Sequence, residues 1–346
     1  MSQFRKDILS DRWVIVAEAD ALRPTDLHFH KFTRHAKLCP FCETNEASTP
    51  PEIFAIRSPG SLANRPGWFV RVVPNSQPRL RIEGDLERSS EGLYDLMRGI
   101  GAHEIIVETP RHDRSLHELE IPEVSYVLQA YAARIRDLEQ DPRMRYILIF
   151  KNHGEEAGAH SISHSISRLM GLPATPMAIK NKLIVARRYY AEKERCIFCD
   201  VIRQELTDKR LIAVNQDFVA FAPYASRIPF EIAVYPKFHS SAFSEINPTQ
   251  NENLARVLRD VLQKLDQTLG GPPYNLTLQD RPRLYQRPGY WETIGEDFHW
   301  HIEILPQICR LTGFEWASGM FYNGVPPEVA ARCLSLQRFL PGSIPS

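Results

Sequence analysis

The sequence predicts an α+β protein made of two tandem units, each an antiparallel sheet with packed helices. Three observations predict this class. A Cys-x-x-Cys pair occurs twice, at Cys39 and Cys42 and again at Cys196 and Cys199. Each pair precedes strand-like segments, one amphipathic helix and a strand that carries histidine. These elements recur in the same order, and an internal duplication explains such a repeat.

Length and composition limit the class of protein. The chain has 346 residues and is 43% hydrophobic, enough for two modest domains with full cores. Its 42 basic residues balance 42 acidic ones, so it lacks the positive excess with which proteins bind nucleic acid polymers. No apolar run approaches the ~20 residues that span a bilayer, and the N-terminus lacks the apolar core of a signal peptide. We therefore expect a cytoplasmic protein with neither a nucleic acid nor a membrane partner.

The first unit is assigned to residues 1–173. Ile121, Pro122 and Glu123 form a helix start, and the apolar residues that follow as far as Leu138 recur at helical spacing. Segments dense in β-branched and aromatic residues predict strands at 13–17, 68–73, 103–108 and 146–150. A polar turn then leads into an alternating segment, in which His160 and His164 would share one face of a strand.

The second unit is assigned to residues 195–346, with 174–194 as the crossing segment. Asn247 or Thr249 can cap a helix that is apolar at helical spacing and ends at Gly270. Strands are predicted at 218–221, 229–235, 274–278 and 298–306. The last of these places His299, His301 and Glu303 on one face.

The cysteine pairs predict metal sites. In a reducing compartment, this spacing favours metal over a disulfide. A Cys-x-x-Cys turn supplies two thiolates, and structural zinc takes four nitrogen or sulfur ligands, so two histidines must complete each site. The candidates are His112 and His164 in the first unit, and His239 and His299 in the second. Two zinc ions are expected, and both would be structural because four protein ligands leave no open position.

Motifs along nearly the whole chain carry a family resemblance. They are CPFC at Cys39, GAHEIIVETPRHDRSL from Gly101, FKNHGEEAGA from Phe150, CIFCDVI at Cys196, PYASRIPFE from Pro223, FHWHIEILP from Phe298 and GFEWASGMFYN from Gly313. With these motifs the chain resembles the galactose-1-phosphate uridylyltransferase family of the histidine-triad superfamily. The resemblance implies two histidine-triad-like units, of which the first extends to residue 173 and the second begins at 195.

The resemblance also implies ligands and contacts. It assigns one zinc to Cys39, Cys42, His112 and His164, and in some relatives a second to Cys196, Cys199, His239 and His299. It suggests nucleotide contacts near Arg23, Asn75, Asn152 and Gly158, and an approach to the sugar phosphate by Phe314, Glu315 and Asn323. Serine hydroxyls after the polar turn, Ser161 among them, are candidates to stabilise charge on the phosphoryl oxygens. The implied partners are a sugar nucleotide, a sugar 1-phosphate and a second copy of the chain.

The family reaction, as the resemblance implies it, is a two-step nucleotidyl transfer. A histidine attacks the α-phosphate of a nucleoside diphosphate sugar, and a hexose 1-phosphate leaves. A second hexose 1-phosphate then takes the nucleotidyl group from the covalent intermediate. The attacking imidazole must be neutral near pH 7.

The predicted active strand departs from the family pattern His-x-His-Ser/Gly-Gln. Here the strand reads His164-Ser165-Ile166-Ser167-Arg168, which puts Ile166 at the nucleophile position and Arg168 at the glutamine position. An isoleucine cannot attack phosphorus. An alternative register makes His160 the metal ligand and His164 the nucleophile, but it doubles the separation between the two histidines.

Three interpretations follow from this departure. The chain is an active transferase that uses His164, His160 or His301; or it is a nucleotide binder without covalent catalysis, in which Arg168 compensates charge at the phosphate. In the third, His301 and Glu303 line a site in the second unit. The plainer account of His301 is a satisfied residue on a half-buried strand.

Overall fold

The computed structural model describes residues 1–17, 39–159, 163–284 and 291–336. Its elements in chain order are β1 (Gln3–Lys6), β2 (Trp13–Val16), β3 (Phe54–Arg57), β4 (Trp68–Pro74), β5 (Ser89–Glu91), β6 (Tyr94–Leu96), β7 (Ala102–Val107), α1 (Ile121–Leu138), β8 (Tyr146–His153), β9 (Ile166–Leu172), α2 (Met177–Lys193), α3 (Ile197–Glu205), β10 (Leu211–Val214), β11 (Phe218–Phe221), β12 (Ile232–Pro236), α4 (Pro248–Leu269), β13 (Tyr274–Gln279), α5 (Ile294–Asp297), β14 (His301–Pro306), α6 (Gly313–Ser318), β15 (Phe321–Asn323) and α7 (Pro327–Leu336).

One ten-stranded antiparallel sheet organises the chain, in the order β10-β11-β12-β14-β13-β8-β9-β7-β4-β3. Read outward from its central pair, one half is β8, β9, β7, β4 and β3, and the other half is β13, β14, β12, β11 and β10. Helix α1 precedes β8 in the chain as α4 precedes β13. This repeat confirms the predicted fold class. The boundaries at 173 and 195 stay a prediction, and the crossing segment between them contains α2.

Helices α1 and α4 pack on the same side of the sheet and bury its main core. Helix α1 begins with Pro122 in its first turn and a capping box between Glu120 and Glu123. At the start of α4 the Asn247 side chain accepts from the Gln250 amide, and the helix ends at Gly270 with φ +73°. Of the two caps considered from the sequence, Asn247 is therefore the one used.

Two predicted strands begin later than the sequence indicated. Strand β14 starts at His301 rather than at 298, and β9 starts at Ile166. His299 and His164 consequently precede their strands. Their side chains contact the cysteine sulfur atoms at these strand ends. Helices α2 and α3 were not predicted. Among the described residues, every helix is too short or too polar to traverse a bilayer.

Asp280, which follows β13, makes stability depend on pH. Its carboxylate is fully buried and accepts from the amides of Phe243 at 3.0 Å and Arg281 at 2.9 Å. Burial raises its pKa from 3.8 to about 7. A raised folded-state pKa means that the contribution to stability is complete below pH ~4 and is lost as the pH rises through ~7. We expect the free energy of unfolding, measured with urea, to fall between pH 4.5 and 7.5.

The Asp280→Asn variant should lose most of this decline, on the order of a few kcal/mol, because an amide has no charge to bury. Asp95→Asn, on the exposed strand β6, is the matched control and should keep the wild-type slope. Equal slopes in wild type and Asp280→Asn would contradict the prediction.

Candidate functional site

The first cysteine pair lies beside two histidines from distant parts of the chain. The Cys39 Sγ atom is 3.6 Å from His164 Nδ1, and the Cys42 Sγ atom is 3.3 Å from His112 Nδ1 and 3.8 Å from His164 Nδ1. All four ligand atoms lie within 4.8 Å of one another. His112 follows β7 and His164 precedes β9, so antiparallel pairing of these two strands brings both histidines to the same end of the sheet.

The remaining ring nitrogens of this cluster have partners of their own. His164 Nε2 donates to the Thr109 carbonyl at 2.7 Å, and His112 Nε2 lies 3.1 Å from the Ser163 hydroxyl. Such contacts orient a metal-binding imidazole and fix which nitrogen faces the ion. Because both nitrogens of His164 are engaged, the geometry favours His164 as a metal ligand over its alternative role as an attacking group.

The second cysteine pair repeats the arrangement. The Cys199 Sγ atom is 3.5 Å from His239 Nδ1 and 3.3 Å from His299 Nε2, and the two histidine nitrogens are 3.0 Å apart. With the Cys196 Sγ atom, these ligand atoms again lie within 4.8 Å of one another. His239 Nε2 donates to the Gly295 carbonyl at 2.7 Å.

The chemistry of both clusters suits a tetrahedral ion. Bonds of ~2.3 Å to sulfur and ~2.0 Å to nitrogen put tetrahedral ligands about 3.5 Å apart, close to the separations found here. Burial lowers the pKa of His164 to about 4, which keeps its imidazole neutral. Hydrogen bonds from Cys196 and the two histidines lower the pKa of Cys199 to about 2, which favours the thiolate. Each cluster can therefore hold a metal ion.

A sheet face extends from the first cluster along β7, β9 and β8. Residues paired across antiparallel strands share a face, so Ile166 lies beside Val107, and Arg168 lies beside Ile105 and Phe150. Arg168 and Phe150 are partly exposed on this face. Ile166, in contrast, is only 5% exposed, in a hydrophobic cluster that includes Val107.

Arg168 lies in a positive environment. Burial and, to a smaller extent, a second arginine, Arg79, lower the pKa of Arg168. Burial lowers the pKa of His103, and Arg168 and Arg79 lower it further. Within the described ranges, no carboxylate forms an ion pair with Arg168. A partly exposed cation without an acidic partner suits an anionic ligand.

The predicted nucleotide contacts lie at opposite ends of this face. Asn75 contacts His103 Nε2 at 3.1 Å and lines a cavity of about 1170 Å³. Asn152 and Gly158 lie together at the end where β8 meets the polar turn. Gly158 has φ +94°, and a Cβ there would come within 3.1 Å of the Asn152 amide. Arg23, Ser161 and His160 lie outside the described residues.

The three residues expected near the sugar phosphate lie outside the large sheet. Phe314 is 42% exposed on α6, and Glu315 accepts from the Thr312 amide at the start of that helix. Asn323, on β15, is fully buried, and its amide donates to backbone carbonyls of Ser226 and Ile228. Their contact with a sugar phosphate stays a prediction.

His301 and Glu303 lie on the corresponding face of the second unit, under α2. His301 is fully buried, its Nδ1 donates to the His299 carbonyl, and its Nε2 is 2.7 Å from the Lys182 ammonium. Lys182 also pairs with Glu303, which contacts Arg227 at 2.8 Å. Both nitrogens of His301 are satisfied, in agreement with the plainer account of this residue.

A charged network beneath the first-unit face was missed by the sequence reasoning. Lys151 Nζ donates to Glu108 at 2.6 Å, to Ser165 at 3.0 Å and to the Ile166 carbonyl at 3.2 Å. Ser167 also donates to Glu108. The available signal was a charged residue at the end of each of two apolar segments, Glu108 after Ile105-Ile106-Val107 and Lys151 after Tyr146–Phe150. The network holds the backbone on both sides of Ile166.

Comparison with known families gives two matches that together cover most of the chain. Residues 4–167 match the galactose-1-phosphate uridyl transferase N-terminal domain, and residues 183–310 match the C-terminal domain. The chain is 32% identical to ADP-glucose phosphorylase of Arabidopsis thaliana, over 96% of this chain and 92% of that protein. It is 27% identical to galactose-1-phosphate uridylyltransferase of Thermotoga maritima, over 96% and 98%.

Solved structures show the same relationship. A crystal structure of the ADP-glucose phosphorylase from Arabidopsis thaliana with bound ADP-glucose aligns with a TM-score of 0.81 at 32% identity, covering 97% of this chain and 99% of that one. A uridylyltransferase structure aligns with a TM-score of 0.74 at 26% identity, covering 97% and 98%.

Proposed function

The chain belongs to the galactose-1-phosphate uridylyltransferase family and is thereby an enzyme of nucleotidyl transfer between sugar phosphates, and from this we propose how its site is used. The donor is a nucleoside diphosphate hexose, and the acceptor is a hexose 1-phosphate or inorganic phosphate. The observation that carries the proposal is the partly exposed Arg168 on the sheet face of the first unit, with Asn75 towards one end of that face and Asn152 towards the other. The interpretation as an inactive binder is not favoured.

Arg168 serves the transferred phosphoryl group. A fixed guanidinium stabilises the negative charge on phosphoryl oxygens most strongly where water is partly excluded. Arg168 is half-buried, points from the centre of the face and is not neutralised by a carboxylate in the described part of the chain. Asn75 and Asn152 then contact the nucleotide on either side of this charge.

Zinc occupies both cysteine–histidine clusters in this proposal. The donor sets are two thiolates and two imidazoles in each unit, which suit zinc among the biological metals. With four protein ligands, each ion fixes loops to the end of the sheet and takes no part in the chemical step. Cytoplasmic location and a homodimer, both expected from the sequence, stay predictions; sedimentation of the purified chain tests the dimer.

The direct test is an assay of purified protein with four substrate pairs. ADP-glucose and UDP-glucose serve as donors, and phosphate and galactose 1-phosphate serve as acceptors, because the two relatives named above are a phosphorylase and a uridylyltransferase. Formation of a nucleoside diphosphate or of a new sugar nucleotide supports the proposal. Binding of these donors without turnover with any acceptor would overturn it.

Arg168→Ala is expected to lower kcat/KM by about 10²-fold, the usual effect of removing one group that stabilises transition-state charge. Arg168→Lys should retain part of the activity, because it keeps the charge and loses the planar fork. The control is Arg256→Ala. Arg256 forms an exposed ion pair with Glu252 on α4, and its replacement should leave activity unchanged. If Arg168→Ala kept wild-type kcat/KM, Arg168 would have no role at the phosphate.

A further inference from the structure

The two units differ at the position two residues after a cluster histidine. In the second unit His301 comes two residues after the cluster histidine His299, whereas in the first unit Ile166 comes two residues after His164. The strands concerned, β14 and β9, occupy equivalent places in the two halves of the sheet. Beside the first cluster, the chain therefore has a buried alkyl side chain where its own repeat carries an imidazole.

Within the described ranges, which leave out residues 160–162, the other nucleophilic side chains of the first-unit strands β7 and β9 are engaged. His103 is largely buried, its Nδ1 accepts from the Arg79 amide, and its Nε2 contacts Asn75. His164 uses one nitrogen toward the cysteines and the other toward a carbonyl. Ser165 and Ser167 point to the opposite face, where both donate to Glu108.

The second unit does not supply the missing imidazole. His301 is fully buried beneath α2, and the lone pair of its Nε2 receives the Lys182 ammonium. The cavity beside it measures about 100 Å³, which holds a few water molecules and no nucleotide. A donor therefore cannot reach His301 while α2 stays in place.

From these observations we propose that this enzyme transfers the nucleotidyl group in one direct displacement, without a covalent intermediate; the inference rests on the proposed function. An oxygen of the acceptor phosphate attacks the α-phosphorus of the donor and forms the new bond. The bond from α-phosphorus to the bridging oxygen breaks, and the departing hexose 1-phosphate takes the electron pair and its negative charge. No proton carrier or further reactant is required.

The step needs both anions on the enzyme together. Two phosphates repel each other, and the positive charge of Arg168 and Arg79 on one face offsets this repulsion. Catalysis then consists of positioning and charge stabilisation, as is usual in phosphoryl transfer. The buried side chain of Ile166 helps to exclude water behind the reacting phosphates.

Stereochemistry at phosphorus tests the proposal. The donor is ADP-glucose or UDP-glucose with one sulfur on the α-phosphorus in a single configuration, and the product configuration is read by ³¹P NMR. One displacement inverts the configuration, while two displacements through a covalent intermediate retain it. Inversion is expected. Retention would overturn the proposal, whichever residue formed the adduct.

A second measurement separates this proposal from the proposed function. Donor labelled in its nucleoside is mixed with enzyme without acceptor, quenched in base and examined for label bound to protein. In an enzyme that turns over with acceptor, we expect no label bound to protein. When the concentrations of both substrates are varied, we expect intersecting lines in double-reciprocal plots of the initial rate. A base-stable, acid-labile adduct on the protein, together with parallel lines in these plots, would refute direct displacement. Absence of any turnover would instead refute the transferase assignment itself.

Discussion

Replacing Lys151 by methionine is expected to lower the free energy of unfolding by about 3–5 kcal/mol. The Lys151 and Glu108 side chains are only 2% and 0% exposed and are 2.6 Å apart. Removing the cation leaves a carboxylate buried without its counter-charge, which costs far more than the pair itself contributes. Urea unfolding followed by circular dichroism measures the change.

The double variant Lys151→Met with Glu108→Gln should be more stable than Lys151→Met alone, because the amide has no charge and still accepts from the serines. The control is Lys264→Met. Lys264 pairs with Asp260, whose side chain is 40% exposed, and this change should cost ~1 kcal/mol or less. If the double variant were no more stable than Lys151→Met, an unpaired buried charge would not be the cause.

Replacing Cys39 by alanine is expected to remove one of two bound metal ions and to lower the thermal midpoint by ~10 °C or more. Cys39 and His164 join the loop before β3 to the start of β9, so loss of the ion separates these segments. Metal analysis by mass spectrometry and a thermal scan measure both effects. Cys333→Ala, a half-buried thiol on α7 outside both clusters, should keep both ions.

Chelation gives the same test without a substitution, if Cys39→Ala does not fold. Wild-type protein treated with a chelator should release two equivalents of metal while its thermal midpoint falls. Purified protein that carries no tightly held transition metal, with an unchanged midpoint after chelation, would contradict the metal assignment and the structural role given to both clusters.

The family motifs and the ligand sets were readable without coordinates because both depend on short-range spacing. Cys39 and Cys42, and likewise Cys196 and Cys199, are close in the chain and restrict the chemistry by themselves. The caps of α1 and α4 are also local, since a capping side chain bonds to amides within three residues. The histidines that complete each cysteine pair could be identified because both halves of the chain carry the cysteine pair, the strands, the helix and the histidines in the same order.

The sequence by itself determined the repeated α+β units, the two cysteine–histidine sets and the isoleucine beside the first of them. Only the tertiary structure decided that both units share one sheet through β8 and β13, that α2 covers His301, and that Lys151 is buried against Glu108. The physical reason is distance along the chain. Local spacing fixes caps and ligand pairs, but a contact between remote side chains exists only once strand order and register are set, and many pairings satisfy the same local pattern.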